Sequence, residues 1–318
     1  MVVTMALGWA ARAQDGAAEN PPTLHAGAKL VLVPVTVRDK KGNLIDGLTE
    51  EDFAVADQGV RQKIHLDTSD TVVAPVSLVV AVQASGISAA ALGKINKVGA
   101  MIQPLVIGDR GKAAVIAYDD EIRVVQDFTG DGTKLRIALE GIHGRNLFKG
   151  RMIDAAEKAI EMLAARPESS RRILVMLSES RDRGSQAKLT EAIEQAQRAG
   201  VMIYPATYSA HAIAWTARPE DDPVLPGGPD YIRALGELFR KGKINDADAF
   251  ARATGGRHLS FATLNGLEEA IGRAGEEIHS QYLLSFVPAS TPGFHALTVA
   301  VTNRPDAVVR ARPGYWAL

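Results

Sequence analysis

Apolar and polar positions follow two different rhythms along the chain. Near the start, residues 29–37 (KLVLVPVTV) form a β-rich run that ends in the turn signal Lys41-Gly42-Asn43. Residues 47–53 (GLTEEDF) read as a short capped helical turn, since Thr49 and Asp52 have capping-box spacing. Strand texture resumes at 54–56 and again at 61–66, on either side of a turn at Asp57-Gln58-Gly59. This opening region is β-sandwich material.

From Pro75 the rhythm changes. Residues 76–82 are a continuous apolar run, as expected for a parallel strand covered on both faces. Residues 89–106 then place Leu92, Ile95, Val98, Ile102 and Leu105 at helical spacing. Further strands are predicted at 113–118, 173–177 and 201–208, with helices at 153–165 and 189–199, the latter stopped by Gly200. Strands separated by helices of this length specify an α/β fold, a doubly wound and mostly parallel sheet of Rossmann-like type. Residues 209–246 break the alternation. They are rich in Pro and Gly at their start, carry a helical stretch at 231–241, and read as an insertion or lid-like excursion. Helices follow at 247–253 and 264–279, and strand texture returns at 282–287 and 297–301. A β-rich start and a β-rich end predict one β-sandwich made from both chain ends, residues 28–72 and 281–318, with the α/β domain of 73–280 inserted between them.

Composition narrows the function classes. The chain has 318 residues, with 36 basic and 37 acidic side chains. So balanced a surface argues against a nucleic-acid binder or an anionic-membrane binder, both of which need a basic field. No apolar run approaches the roughly 18–20 residues needed to span a bilayer. Cysteine is absent, which removes disulfides, thiolate catalysis and cysteine-based zinc sites. Residues 2–11 are mostly apolar, and Ala11-Arg12-Ala13 has the small-x-small form of a signal-peptidase site. Residues 1–27 therefore read as a signal peptide and linker, which implies a periplasmic or secreted protein. The usual basic n-region is missing, so either the true start lies upstream or the segment is only a frayed terminus.

The familiar cofactor and catalytic motifs do not occur. Gly108-Asp109-Arg110-Gly111-Lys112 has the residue types of a phosphate-binding loop but the wrong spacing, and no G-x-G-x-x-G follows the first parallel strand. The seven His are never paired at i, i+4, so no zinc site is signalled. One enzymatic reading remains, a serine hydrolase with Ser85 as nucleophile and His143 or His258 as base. The G-x-S-x-G elbow it would need is absent, since Gln83 occupies the first glycine position. Otherwise Ser85 caps the first helix of the α/β region. Asp119 and Asp120 are either a carboxylate pair for acid–base work or partners for a nearby basic loop.

Three segments carry a family resemblance: VTVRDKKGNLIDGLTEEDFAV at 35–55, ATGGRHLSF at 253–261 and RARPGYW at 310–316. Their order around an α/β core resembles the von Willebrand factor A-related proteins abundant in Acidobacteria. The resemblance implies an exported protein whose A-type domain binds other proteins at the carboxyl end of its sheet. It further implies a metal-ion-dependent adhesion site: Asp-x-Ser-x-Ser after the first strand, a Thr from a later loop, and an Asp after the central strand. Hydroxyls and carboxylates would there form the hard oxygen shell that Mg²⁺ prefers.

The sequence departs from that pattern. Gln83 stands at the Asp position, Ser85 is kept, Ile87 replaces the second Ser, and Glu179 stands for the late Asp. The Thr-bearing loop becomes Gly144-Arg145-Asn146-Leu147-Phe148-Lys149-Gly150-Arg151. One carboxylate facing three cations is a poor field for a divalent ion, so the site reads as degenerate. No cofactor is expected, and Mg²⁺ binding would at most be weak. The remaining candidates for partner binding are Ser85, Arg145, Lys149, Arg151, Glu179, Arg181 and Arg183. Guanidinium groups among them would replace the metal in capturing an acidic protein partner. The plainer reading pairs each of these charges with a neighbouring carboxylate. The expectation is a non-enzymatic binding, adhesion or scaffolding module.

Overall fold

The computed structural model describes residues 30–67, 74–85, 92–93, 95, 99–145, 149–208 and 244–317. The predicted signal segment, Ile87 and most of the 209–246 insertion lie outside the described residues.

The chain opens with β1 (Val31–Arg38), β2 (Phe53–Asp57), β3 (Val60–Arg61) and β4 (His65–Asp67). The capping box predicted before β2 forms, Thr49 N–H donating to Asp52 Oδ2 at 2.7 Å. The α/β region then supplies β5 (Val76–Gln83), β6 (Lys112–Tyr118), β7 (Ile122–Thr129), β8 (Arg171–Ser178), β9 (Val201–Tyr208) and β10 (Leu259–Phe261). Its helices are α1 (Gly99–Ile102, widening into a π turn over Gln103–Ile107), α2 (Gly132–Glu140), α3 (Met152–Ala164), α4 (Leu189–Arg198), α5 (Asp246–Thr254) and α6 (Leu264–His279). The chain closes with β11 (Tyr282–Phe286), β12 (Gly293–Val301), β13 (Val308–Ala311) and β14 (Gly314–Ala317). Among the described residues no helix is long and apolar enough to cross a membrane.

Strands β5 to β10 form one six-stranded sheet in the order β10-β9-β8-β5-β6-β7. Every neighbour is parallel except β7, which runs antiparallel to β6 at the edge. This is the doubly wound order, reversing between β5 and β8, and ligands of such sheets collect outside the carboxyl ends at that reversal. All eight residues of β5 are buried because both faces are covered. Leu78, Val80 and Val82 face the helices α1, α2 and α6, whereas Val79 and Ala81 face α3, α4 and α5. Strand alternation thus feeds two separate cores from one apolar run.

The remaining strands form two four-stranded sheets, β13-β1-β11-β4 and β14-β12-β2-β3. Each mixes strands from both ends of the chain. Val33, Val35 and Leu284 from one sheet pack against Phe53, Val55 and Tyr315 from the other, which makes the sandwich.

The segments 253–261 and 310–316 meet at the junction of sandwich and α/β layers. Gly255 ends α5 in the left-handed region at φ 79°, and any Cβ there would strike the backbone of Ala311 and Arg312. Glu277 on α6 is 1% exposed and receives Arg38 from β1 at 3.2 Å, Arg310 from β13, and Arg257 at 3.8 Å. All three sequence segments that carry the resemblance therefore include residues that join the layers.

Candidate functional site

Three strand ends build the carboxyl edge at the reversal of the sheet. The tip of β5 continues through Ala84, whose N–H donates to Tyr118 O at 2.7 Å and whose carbonyl accepts from Arg145 N at 2.9 Å. Beyond it, Gly150 and Arg183 exchange two backbone hydrogen bonds, of 3.1 and 3.0 Å. The Arg151 N–H reaches Asp119 O at 3.0 Å. The basic loop before α3 and the loop after β8 are thus stitched across the strand tips by the backbone itself.

At the centre lies Gln83, 1% exposed. Its Oε1 accepts from the Glu179 backbone N–H at 2.9 Å, and its Nε2 donates to Ser85 Oγ at 2.7 Å. A backbone N–H can only donate, so the first bond fixes which way the amide points. The amide therefore bridges the two positions from which an adhesion site would ligate its ion. Gly150 lies so close that a Cβ on it would fall against the Gln83 amide. The residues present do not fit a divalent cation, because an NH₂ group points at the one hydroxyl retained. Among the described residues no three His, Asp or Glu side chains converge to hold a metal. Ile87 lies outside the described residues.

The structure corrects the expected role of Ser85. It is fully buried, with its hydroxyl bonded to Gln83, so it is not part of the exposed surface at this edge. Among the described residues no imidazole is bonded to its hydroxyl. His143 is exposed, and His258 is engaged elsewhere.

The basic residues do come to this edge, but most have carboxylates beside them. Arg145 Nη1 lies 3.0 Å from Glu121 and 3.6 Å from Asp119. Arg151 pairs with Asp154 and also donates to Asp120 O at 3.0 Å. Arg183 Nε stands 3.3 Å from Glu179 Oε2. Between the two arginines of the 181–183 loop, Asp182 is pinned inward: its N–H donates to Asp246, and its carboxylate accepts from Ser185 Oγ at 2.6 Å and Ile153 N at 3.1 Å. Lys149 and Arg181 are exposed and form no ion pair among the described residues. The expected cationic field is thus a lattice of alternating charges.

Asp119 anchors that lattice. Burial alone would raise its carboxyl, but hydrogen bonds from Arg123 at 2.9 and 3.1 Å and from the Glu121 N–H outweigh it and hold the group below its ordinary value. Of the two readings of Asp119, partner for the basic loop is the one its contacts match.

Sequence reasoning missed a second polar chain at this edge. Thr207, at the tip of β9, has its Oγ1 2.7 Å from His258 Nε2, and His258 Nδ1 lies 2.6 Å from Asp248 Oδ1. Asp248 also closes the capping box of α5 with Asn245. Burial pushes its carboxyl up, but the His258 hydrogen bond and charge pull it further down, to a net position below the ordinary range. No motif spacing announces this trio. Only the Asp248–His258 separation, spanning the Gly255-Gly256 turn, is short enough to be noticed.

No protein-family model matches the chain, and no curated protein matches it. Solved structures are similar to it in chain course. The conserved hypothetical protein BatB from Bacteroides thetaiotaomicron is 13% identical over 64% of this chain and 98% of that chain, with a TM-score of 0.45. The SpRpn10 VWA domain is 12% identical over 63% and 95% respectively, with a TM-score of 0.41. A von Willebrand factor type A protein from Catenulispora acidiphila is 11% identical over 92% of this chain and 64% of that chain, with a TM-score of 0.48.

Proposed function

We propose that this chain is an exported binding module of the von Willebrand factor A type that engages a protein partner at the carboxyl edge of its sheet without a metal ion. The observation that carries this reading is the Gln83 amide, bonded at once to Ser85 and to the Glu179 backbone. A neutral donor in this place does mechanically what an ion would do, tying the strand tips together, but leaves no open coordination position. Partner capture then falls to exposed side chains around it. Lys149 and Arg181, with the exposed arms of Arg145 and Arg183, offer donors to an acidic segment. The A-type assignment rests on the sheet order and the three sequence segments, and the Acidobacterial resemblance belongs to this reading.

Calorimetric titration of the purified chain with Mg²⁺ and Mn²⁺, beside Gln83→Asp, tests it. The wild type should give no binding heat up to millimolar metal. Clear binding by the wild type, abolished in Glu179→Ala, would sink the metal-free reading. Export is checked by fractionating cells that express the full chain; a product confined to the cytoplasm with its first residues intact would remove that part.

A second reading, hydrolysis, attaches to Thr207 rather than Ser85, because among the described residues Thr207, unlike Ser85, has an imidazole and then a carboxylate behind it. Thr207 is 3% exposed, which favours a structural chain over a nucleophile. Reaction with a fluorophosphonate probe should give no label. Labelling that disappears in Thr207→Val would replace the binding reading.

A further inference from the structure

A cavity of about 420 Å³ opens at the opposite pole, where the amino ends of β8 and β9 meet the sandwich. Its volume is in the range of small-molecule sites, which favour such junctions between structural units. Leu32, Met202, Leu283 and Trp316 give its wall an apolar part. The rest is polar, with Ser170, Gln197 and one carboxylate, Glu168, among more numerous arginines. Arg171, Arg172 and Arg312 all contribute to the lining.

These arginines are not equally compensated. Arg172 has Glu168 near it, and Arg198 at the rim is paired with Glu194. Arg171 is 9% exposed and spends its donors on the carbonyls of Ala74, at 3.1 Å, and Ile278. Arg312 donates to Gly314 O at 2.9 Å and reaches the carbonyls of Leu32 and Gln197 only at 3.4 Å. Neither Arg171 nor Arg312 forms an ion pair among the described residues. Desolvation lowers both guanidinium groups, Arg312 to about 10. Arg171 is withdrawn from water and Arg312 is half-buried, each against carbonyls alone, and an entering anion would supply the charge partner that both lack among the described residues.

We propose that this cavity binds an anion with an apolar body, of the chemical class of a fatty carboxylate. The head group lies against Arg171 and Arg312, and the chain lies on Leu32, Met202, Leu283 and Trp316. An inorganic anion would satisfy the arginines and leave the apolar wall wet. An uncharged lipid would fill the wall and leave the arginines as they are. The site is independent of the binding edge, at the other end of the same strands.

The full chain is titrated with sodium decanoate, with 1-decanol and with inorganic phosphate, by calorimetry and by tryptophan fluorescence. The chain holds three Trp, so a Trp316→Phe variant assigns the fluorescence signal. Decanoate should bind saturably and at least about tenfold more tightly than decanol, a difference of about 1.4 kcal/mol. Arg312→Gln should remove most of that preference. Absence of saturable decanoate binding overturns the proposal, and so does decanol binding equally well. Phosphate displacing decanoate at equal concentration would reduce the site to an anion pocket and overturn the apolar part. The decanoate–decanol comparison on the wild-type chain decides the matter even if Arg312→Gln does not fold.

Discussion

Exchanging a carboxylate for an amide changes two properties at once: a charge is lost and a hydrogen-bond donor appears. At Gln83 both changes are used, because one end of the amide accepts from Glu179 N and the other donates to Ser85 Oγ. The same bonding makes Gly150 a required residue, since the amide cannot swing aside without losing two buried hydrogen bonds. Gly150→Ala should therefore lower stability by about 1–3 kcal/mol, as overpacking of a tight site does. Chemical denaturation measures it, and a change below about 0.5 kcal/mol would mean the loop simply shifts. Asp119 offers a pH test. Its folded carboxyl is more acidic than in the unfolded chain, so its stabilisation is complete above the ordinary carboxylate range and is lost as pH falls through the folded value. Asp119→Asn should cost about 1.5–3 kcal/mol near neutrality, as for hydrogen bonds to a charged group. The melting temperatures of wild type and variant should then converge as pH falls from about 7 to about 2.5. A gap independent of pH would show that ionised Asp119 contributes nothing.

At the scale of elements, the strands that could be read from sequence are those whose burial is simple. β5 is buried throughout and mostly apolar because both faces are covered, and the middles of β8 and β9 repeat the pattern. β7 escaped detection. Its Val124 and Val125 are both exposed, and its pairing with β6 shifts register twice, so no period of two survives in the sequence. The following helix α2 escaped as well, although its start is well marked: Asp131 caps it by accepting from Thr133 N at 2.9 Å and Lys134 N at 3.3 Å. Asp131→Ala should cost about 1 kcal/mol, within the usual range for a lost N-cap. An unchanged midpoint in urea would show that the packing of α2 on its neighbours holds the turn without the cap. At the site, the sequence brought Gln83, Ser85 and Glu179 together through the family pattern. It could not show that Ser85 is buried or that Arg145, Arg151 and Arg183 are already paired. Those are facts of side-chain direction, and charge order along a loop does not encode them. The Thr207–His258–Asp248 chain was invisible for the same reason: its members sit on a strand, a loop and a helix.

For the whole molecule, the seam between sandwich and α/β layers gathers charge around one buried carboxylate. Three arginines converge on the single buried carboxylate of Glu277, two of them from the sandwich. Glu277→Ala leaves these guanidinium groups facing one another, and breaking a buried pair from one side typically costs about 3–5 kcal/mol. The loss should be cooperative, and calorimetry should show the sandwich and α/β transitions separating where the wild type gives one peak. A variant that melts as a single transition within a degree or two of the wild type would refute the idea that this carboxylate couples the layers.

The weaving of both chain ends into both sandwich sheets has a consequence for the order of events in folding. β1 pairs with β11 and β13, and β2 pairs with β12. Apart from the local β2–β3 pairing, roughly 240 residues of intervening chain must therefore be gathered up before these strands find their partners, a long loop to close and a slow step for β pairing. Until then β1 and β2 carry unmatched backbone edges, the kind of surface that recruits strands from other molecules. The α/β unit, whose strand neighbours are closer in sequence, is placed to condense first and to bring residues 74 and 281 within reach of each other. Late arrival of the last forty residues, rather than instability of the finished fold, is where this protein is most exposed to aggregation.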